Sequence, residues 1–148
     1  MAYSKAPYFN EVISLLDRLI LNDEHNIALY NAHILRELCQ YLQIDTEILL
    51  GSNVLKPNPL TGQERVIEIC EEYKTDIYIN PIGGMKLYDS ECFKVHGIEL
   101  FFLKTDETIK YNQWDDSFFP GLSIIDLLMF NSKKTISSYL DRYKLIKN

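Results

Sequence analysis

Positive charge is scarce in this chain, and what there is lies scattered. Lys and Arg number 15 against 21 Asp and Glu, a net charge of −6. A nucleic-acid surface needs clustered basic residues, so no nucleic-acid partner is expected. The mildly basic C-terminal region, with Lys133, Lys134, Arg142, Lys144 and Lys147, reads as a solvated helix face. Cysteine is sparse too. Cys39, Cys70 and Cys92 are odd in number and far apart, with no Cys-x-x-Cys or His-rich cluster, which argues against a structural zinc site. Each falls among apolar residues of a predicted helix, where a free thiol serves as a small hydrophobe. That usage fits a reducing cytoplasm. The three histidines, His25, His33 and His96, are dispersed and show no ligand spacing. No metal and no cofactor is expected. Signal peptide and membrane-length apolar run are both missing, so no membrane insertion is expected.

What remains is the composition of a globular domain. A length of 148 residues points to one domain able to bury a real core. No internal repeat or low-complexity segment interrupts it.

Residues 7–21 read as a helix opened by Pro7, with Phe9, Val12, Ile13, Leu16, Leu19 and Ile20 at helical spacing. Asn22-Asp23-Glu24 breaks it. Asn26 caps a second helix whose stripe is Ile27, Tyr30, Ile34, Leu38 and Tyr41. The two make an antiparallel hairpin over 1–44. Residues 45–104 then alternate strand and helix. Thr46-Glu47-Ile48-Leu49-Leu50 reads as a first strand, and Gly51 to Pro59 as a loop held extended by Lys56-Pro57-Asn58-Pro59. Thr61 and Glu64 have capping-box spacing at the start of a helix with Val66, Ile67, Cys70 and Tyr73 inward. A second strand, Asp76 to Asn80, stops at Pro81 and passes through Gly83-Gly84. Asp89 caps a short helix ended by Gly97, and Ile98 to Leu103 is a third strand.

Residues 105–148 hold an aromatic loop and C-terminal helices. Ser123 and Asp126 have capping-box spacing at the start of one helix, Ser132 caps the last, and Tyr143 to Ile146 suits an edge strand. The fold class is α/β: a small three-layer βαβαβ domain with a short, mostly parallel sheet, preceded by a helical hairpin. Ligands of such sheets gather beyond the carboxyl ends of the strands. That brings Gly51-Ser52-Asn53, Asn80 to Tyr88 and the 104–121 loop to one edge.

Several blocks match a known family in order and spacing. Gly62-Gln63-Glu64-Arg65-Val66, Tyr78 to Gly84, Leu87-Tyr88-Asp89, Gly97-Ile98-Glu99-Leu100 and Leu122 to Asn131 resemble the WbqC-like protein family over nearly the whole chain. Tyr3-Ser4-Lys5-Ala6-Pro7-Tyr8-Phe9 resembles an internal segment of it. The resemblance implies that the chain corresponds to the C-terminal part of a family member, as a natural short form or a trimmed one. The family's N-terminal portion, with a motif of the kind Gln-Pro-Tyr-Phe-x-Pro-x-x-Gly-Tyr-Phe, has no match here. It also implies a bacterial protein associated with surface polysaccharides such as O-antigen. Its context suggests modification of a nucleotide-linked sugar, by acyl or amino-acid transfer to an amino sugar. The alternative is a non-catalytic ligand-binding or interaction module lacking the family's N-terminal catalytic groups.

The site expected from the residues is an anion cradle at the Gly-Gly turn. Asn80, Gly83, Gly84, Lys86 and Tyr88 follow the second strand, while Gln63 and Arg65 open the preceding helix at the same sheet edge. The plainer reading of Gly83-Gly84 is a tight turn needing positive φ. The expected partner is a phosphorylated small molecule such as a nucleotide-sugar, bound to a homo-oligomer whose uncovered sheet edge recruits a second copy. No catalytic residue is assigned. Ser123 with Asp126 suggests half of a nucleophile–base pair, which the capping box explains without chemistry. Asp115-Asp116 beside Trp114 suggests a divalent metal, or Trp114 a stacking platform for a sugar or base, against the default of a solvated loop.

Overall fold

The structure, a computed structural model, describes residues 2–54, 59–114 and 117–148. Lys56-Pro57-Asn58 and Asp115-Asp116, and the readings placed on them, lie outside the described residues. The chain forms two compact units, Met1–Leu50 with Glu107–Arg142, and Gly51–Asp106 with Tyr143–Asn148. No helix among the described residues is long and apolar enough to cross a membrane.

The first unit is helical: α1 (Phe9–Ile20), α2 (Ile27–Leu42), α6 (Ile124–Phe130) and α7 (Lys133–Leu140). Its caps follow local sequence. The Asn26 side chain accepts from the Ala28 and Leu29 amides, and Ser132 from that of Thr135. Helices α1 and α2 form the expected antiparallel hairpin. Tyr41 donates to Glu11 at 2.8 Å, and His33 Nε2 lies 3.2 Å from the Arg18 carbonyl oxygen. The Glu11 carboxylate also meets Lys133 of α7 at 3.3 Å. Its pKa is held down, first by the Tyr41 hydrogen bond and then by Lys133. The core is Val12, Leu15 and Leu19 of α1 with Leu42, Leu128, Met129 and Ile136. Leu15 thus belongs to the buried stripe, whereas Ile20 and Ile27 are mostly exposed at the hairpin tip.

Residues 46–50 do not form the expected first strand. A strand is stable only when paired, and this segment runs on from α2 within the helical unit. Arg36 of α2 donates to the Ile48 carbonyl at 2.7 Å, so a side chain takes the bond a ladder would supply.

The second unit carries the α/β part of the fold. It contains α3 (Gly51–Val54), α4 (Gly62–Glu72), β1 (Ile77–Pro81), a 3-10 turn at Ile82–Gly84, α5 (Ser90–Val95), β2 (Glu99–Thr105) and β3 (Tyr143–Ile146). The sheet order is β1-β2-β3. Strands β1 and β2 are parallel, with Tyr78 opposite Leu100 and Asn80 opposite Phe102. Strand β3 pairs antiparallel with β2, Ile146 opposite Phe102. The α/β class is thus realised with a three-stranded mixed sheet. The alternation of strand side chains sends Leu100 and Phe102 to the core face. There they meet Ile67 and Cys70 of α4, Phe93 of α5 and Ile98. Phe93 and Phe102 are fully buried, each stabilising by roughly 1.5–3 kcal/mol.

Candidate functional site

The end of the second unit beyond β1 is built from three short pieces. Asn80 and Pro81 close the strand, the 3-10 turn reverses the chain, and Asp89 opens α5. Asp89 accepts from the Glu91 amide at 3.0 Å, as its capping role requires. Its own amide donates to Gln63 Oε1 at 3.0 Å. Gln63 lies in the first turn of α4, so this bond ties the start of α4 to the segment leaving the turn. The start of α4 and Asp89, at the end of the Asn80–Tyr88 stretch, therefore stand together. Thr61 caps α4 by backbone conformation alone, and its side chain makes no cap bond, unlike the expected capping box.

The expected site residues divide once placed. Lys86 and Gly83 are exposed on the turn. Arg65 pairs with Glu68 one turn further along α4, half-buried. Gly84 is buried, and a β-carbon there would lie 3.0 Å from Asn80 Cγ and nearer still to Nδ2. Neither glycine of the pair has positive φ, so the tight-turn reading of Gly83-Gly84 is corrected. Close packing requires Gly84, and open space surrounds Gly83. Tyr88 turns inward. Its ring packs edge-on against Tyr78 at 6.0 Å and Phe93 at 5.9 Å, while Tyr78 and Phe93 stack at 5.5 Å. Burial pushes the Tyr78 hydroxyl up to about 12, helped by the neighbouring Tyr88 hydroxyl.

Cys70 is buried and its thiol is pushed up by desolvation, with Glu71 adding to the shift. His96 Nδ1 sits 2.7 Å from Glu71.

The first unit holds a polar cluster centred on Asp126, with partners distant in sequence. Asp126 is 3% exposed, and its carboxylate does not complete a capping box. Ser123 Oγ accepts from the Ile125 amide and caps α6 alone. Asp126 Oδ1 accepts from the Tyr3 hydroxyl at 3.1 Å. Oδ2 accepts from the Tyr111 hydroxyl at 2.5 Å and the Gln113 amide at 2.8 Å. Gln113 in turn brackets Phe119, donating to its carbonyl at 3.1 Å and accepting from its amide at 2.7 Å. Burial pushes Tyr111 up to about 12, and the bond to Asp126 adds to the shift. Tyr3 moves up for the same reasons. With its oxygens occupied this way, Asp126 is not the base of a Ser123 pair. The only available signal was a carboxylate on the apolar face of α6, between Ile125 and Leu128.

Trp114 stands beside this cluster, its ring 5.0 Å from that of Phe130 and edge-on to it. Two cavities adjoin it. One of about 540 Å³ is lined by Lys110, Tyr111, Asn112, Trp114 and Phe118, among others. A smaller one of about 230 Å³ reaches Tyr3 and Asp126.

Comparison with known proteins gives one named relative. The "Uncharacterized protein Rv1507c" of Mycobacterium tuberculosis is 28% identical over 139 residues, which cover 93% of this chain and 59% of that protein. The chain thus spans little more than half the length of the relative. No solved structure matches it. The model of the WbqC-like protein family matches residues 1–138, nearly the whole chain, and the chain belongs to that family.

Proposed function

We propose that the chain binds a nucleotide-linked sugar during synthesis of a bacterial surface polysaccharide such as O-antigen. The whole protein's reaction, on this reading, is acyl or amino-acid transfer. One observation carries the binding proposal: the bond from the Asp89 amide to Gln63, which sets the start of α4 against the segment that leaves the turn after β1. On this reading the helix-start amides, Arg65 and Lys86 serve one end of the unit, the arrangement that suits a phosphate group. The test is calorimetric titration with a panel of nucleotide-sugars. Arg65→Ala should weaken binding by about 1.5–3 kcal/mol if the guanidinium makes a charged hydrogen bond. Unchanged affinity in Arg65→Ala and Lys86→Ala, for a ligand the parent binds, would remove the site.

A second reading, a binding module without its own catalytic groups, is favoured by specific contacts. Ser123 is engaged as a cap, Cys70 is buried, and His96 faces Glu71 rather than a nucleophile. Under this reading the chain binds the nucleotide-sugar and turns nothing over. Product formation by the chain alone, in the presence of an acyl donor, would decide against it.

A further inference from the structure

The Asp126 cluster has chemistry that neither reading uses. Its carboxylate is buried, and its three side-chain donors among the described residues, Tyr3, Tyr111 and Gln113, are all neutral. Among the described residues, no Lys, Arg or His forms an ion pair with it. A carboxylate has roughly four lone-pair positions, so three donors leave about one open. Buried charge is ordinarily matched by an opposite charge. Among the described residues no matching charge meets it, and a cavity of about 230 Å³ reaches the carboxylate.

The walls of that cavity select what enters. Tyr3, Trp114 and Phe119 line it together with Gln113 and Leu122. Phe130 packs edge-on against both Tyr3 and Trp114, holding the two rings in place. Aromatic faces carry negative quadrupole potential and attract cations. An anion would be repelled by Asp126 and by the rings. A neutral hydroxyl would fill the open lone pair and leave the charge unmatched. An ammonium group meets all three demands, with donors for the carboxylate, charge for its charge, and attraction to the rings.

We infer that the cavity beside Asp126 binds a ligand through a protonated primary amine, which donates to the carboxylate and lies against Trp114 and Tyr3. The small cavity takes the amine end. The body of the ligand extends into the adjoining cavity of about 540 Å³, which shares Gln113, Trp114 and Ser117 with it. This site belongs to the helical unit and does not depend on the nucleotide-sugar reading of the other unit.

Trp114 is the chain's one tryptophan, so its fluorescence reports on this cavity directly. The full chain is titrated at neutral pH with glucosamine, glycinamide and putrescine, and with glucose and acetamide as neutral counterparts. At least one amine should give a saturable change, with neutral counterparts at least about tenfold weaker. The tightest amine then separates an amino sugar from an amino acid derivative or a polyamine. Asp126→Asn, which keeps the shape and removes the charge, should weaken the amine at least about tenfold. Leu122→Lys provides a second route should Asp126→Asn fail to fold. Leu122 is 50% exposed and lines the cavity, so its lysine supplies an internal ammonium and should abolish the response. The inference is overturned by no saturable response up to about 10 mM. It is equally overturned by equal response to the neutral counterparts, or by full response in a folded Asp126→Asn or Leu122→Lys chain.

Discussion

The side chain of Asn80 occupies the space in which a β-carbon on residue 84 would stand. The position built for that carbon lies 3.0 Å from Asn80 Cγ and 3.4 Å from Tyr88 Cε2. The last core-facing residue of β1 therefore dictates glycine in the 3-10 turn that follows. The added methyl of Gly84→Ala must displace the Asn80 amide, at a cost of about 1–3 kcal/mol. Asn80→Ala vacates the space, so the double variant should recover part of that loss. Urea unfolding of the four chains of the cycle measures the coupling. Strict additivity would mean that the two residues do not compete for one space. Gly83→Ala, with open space around it, should be near neutral.

Removing the acceptor at the centre of the helical unit should be costly. Asp126→Ala leaves the Tyr3 and Tyr111 hydroxyls and the Gln113 amide without their buried partner. The expected loss is about 2–4 kcal/mol, against about 1 kcal/mol for Tyr3→Phe, which removes one donor and leaves two. Chemical denaturation gives both values. Equal losses would show that Asp126 matters only through Tyr3.

Stability should fall in alkali, with a defined window. Tyr78 and Tyr111 are both pushed up to about 12 in the folded chain. An unfolded tyrosine titrates near 10, so below that pH both states keep the proton and stability is independent of these groups. Between about 10 and 12 the unfolded chain releases protons that the folded chain retains, and stability is lost as pH rises. Thermal melts across this range, followed by tyrosinate absorbance, should show ionisation of these two residues coinciding with unfolding. Tyr78→Phe and Tyr111→Phe should each flatten the dependence. Two tyrosines titrating near 10 in the native state would refute it.

Much of the molecule is determined within a few residues of sequence, and those parts were legible. Asn26, Asp89 and Ser132 cap their helices because a short polar side chain reaches the amides two or three residues on. Gly97, with φ 74°, ends α5 where a side chain would be strained. The apolar runs of β1 and β2 and the helix between them identify the α/β class. The blocks around Gln63, Asn80 and Asp126 place the chain in its family.

Other features depend on residues distant in the chain. Thr46 to Leu50 has strand composition but pairs with no strand among the described residues, and Arg36 holds its backbone instead. Tyr88 follows β1 among the expected cradle residues, yet its ring packs inward against Tyr78 and Phe93. Asp126 has capping spacing, but Tyr3, 123 residues away, and Tyr111 claim its carboxylate. Sequence alone determined which segments are helix or strand wherever capping, periodicity and turn chemistry act locally. Tertiary structure alone decided which polar side chains are buried and with whom, because a buried donor or acceptor must find its partner wherever packing places one.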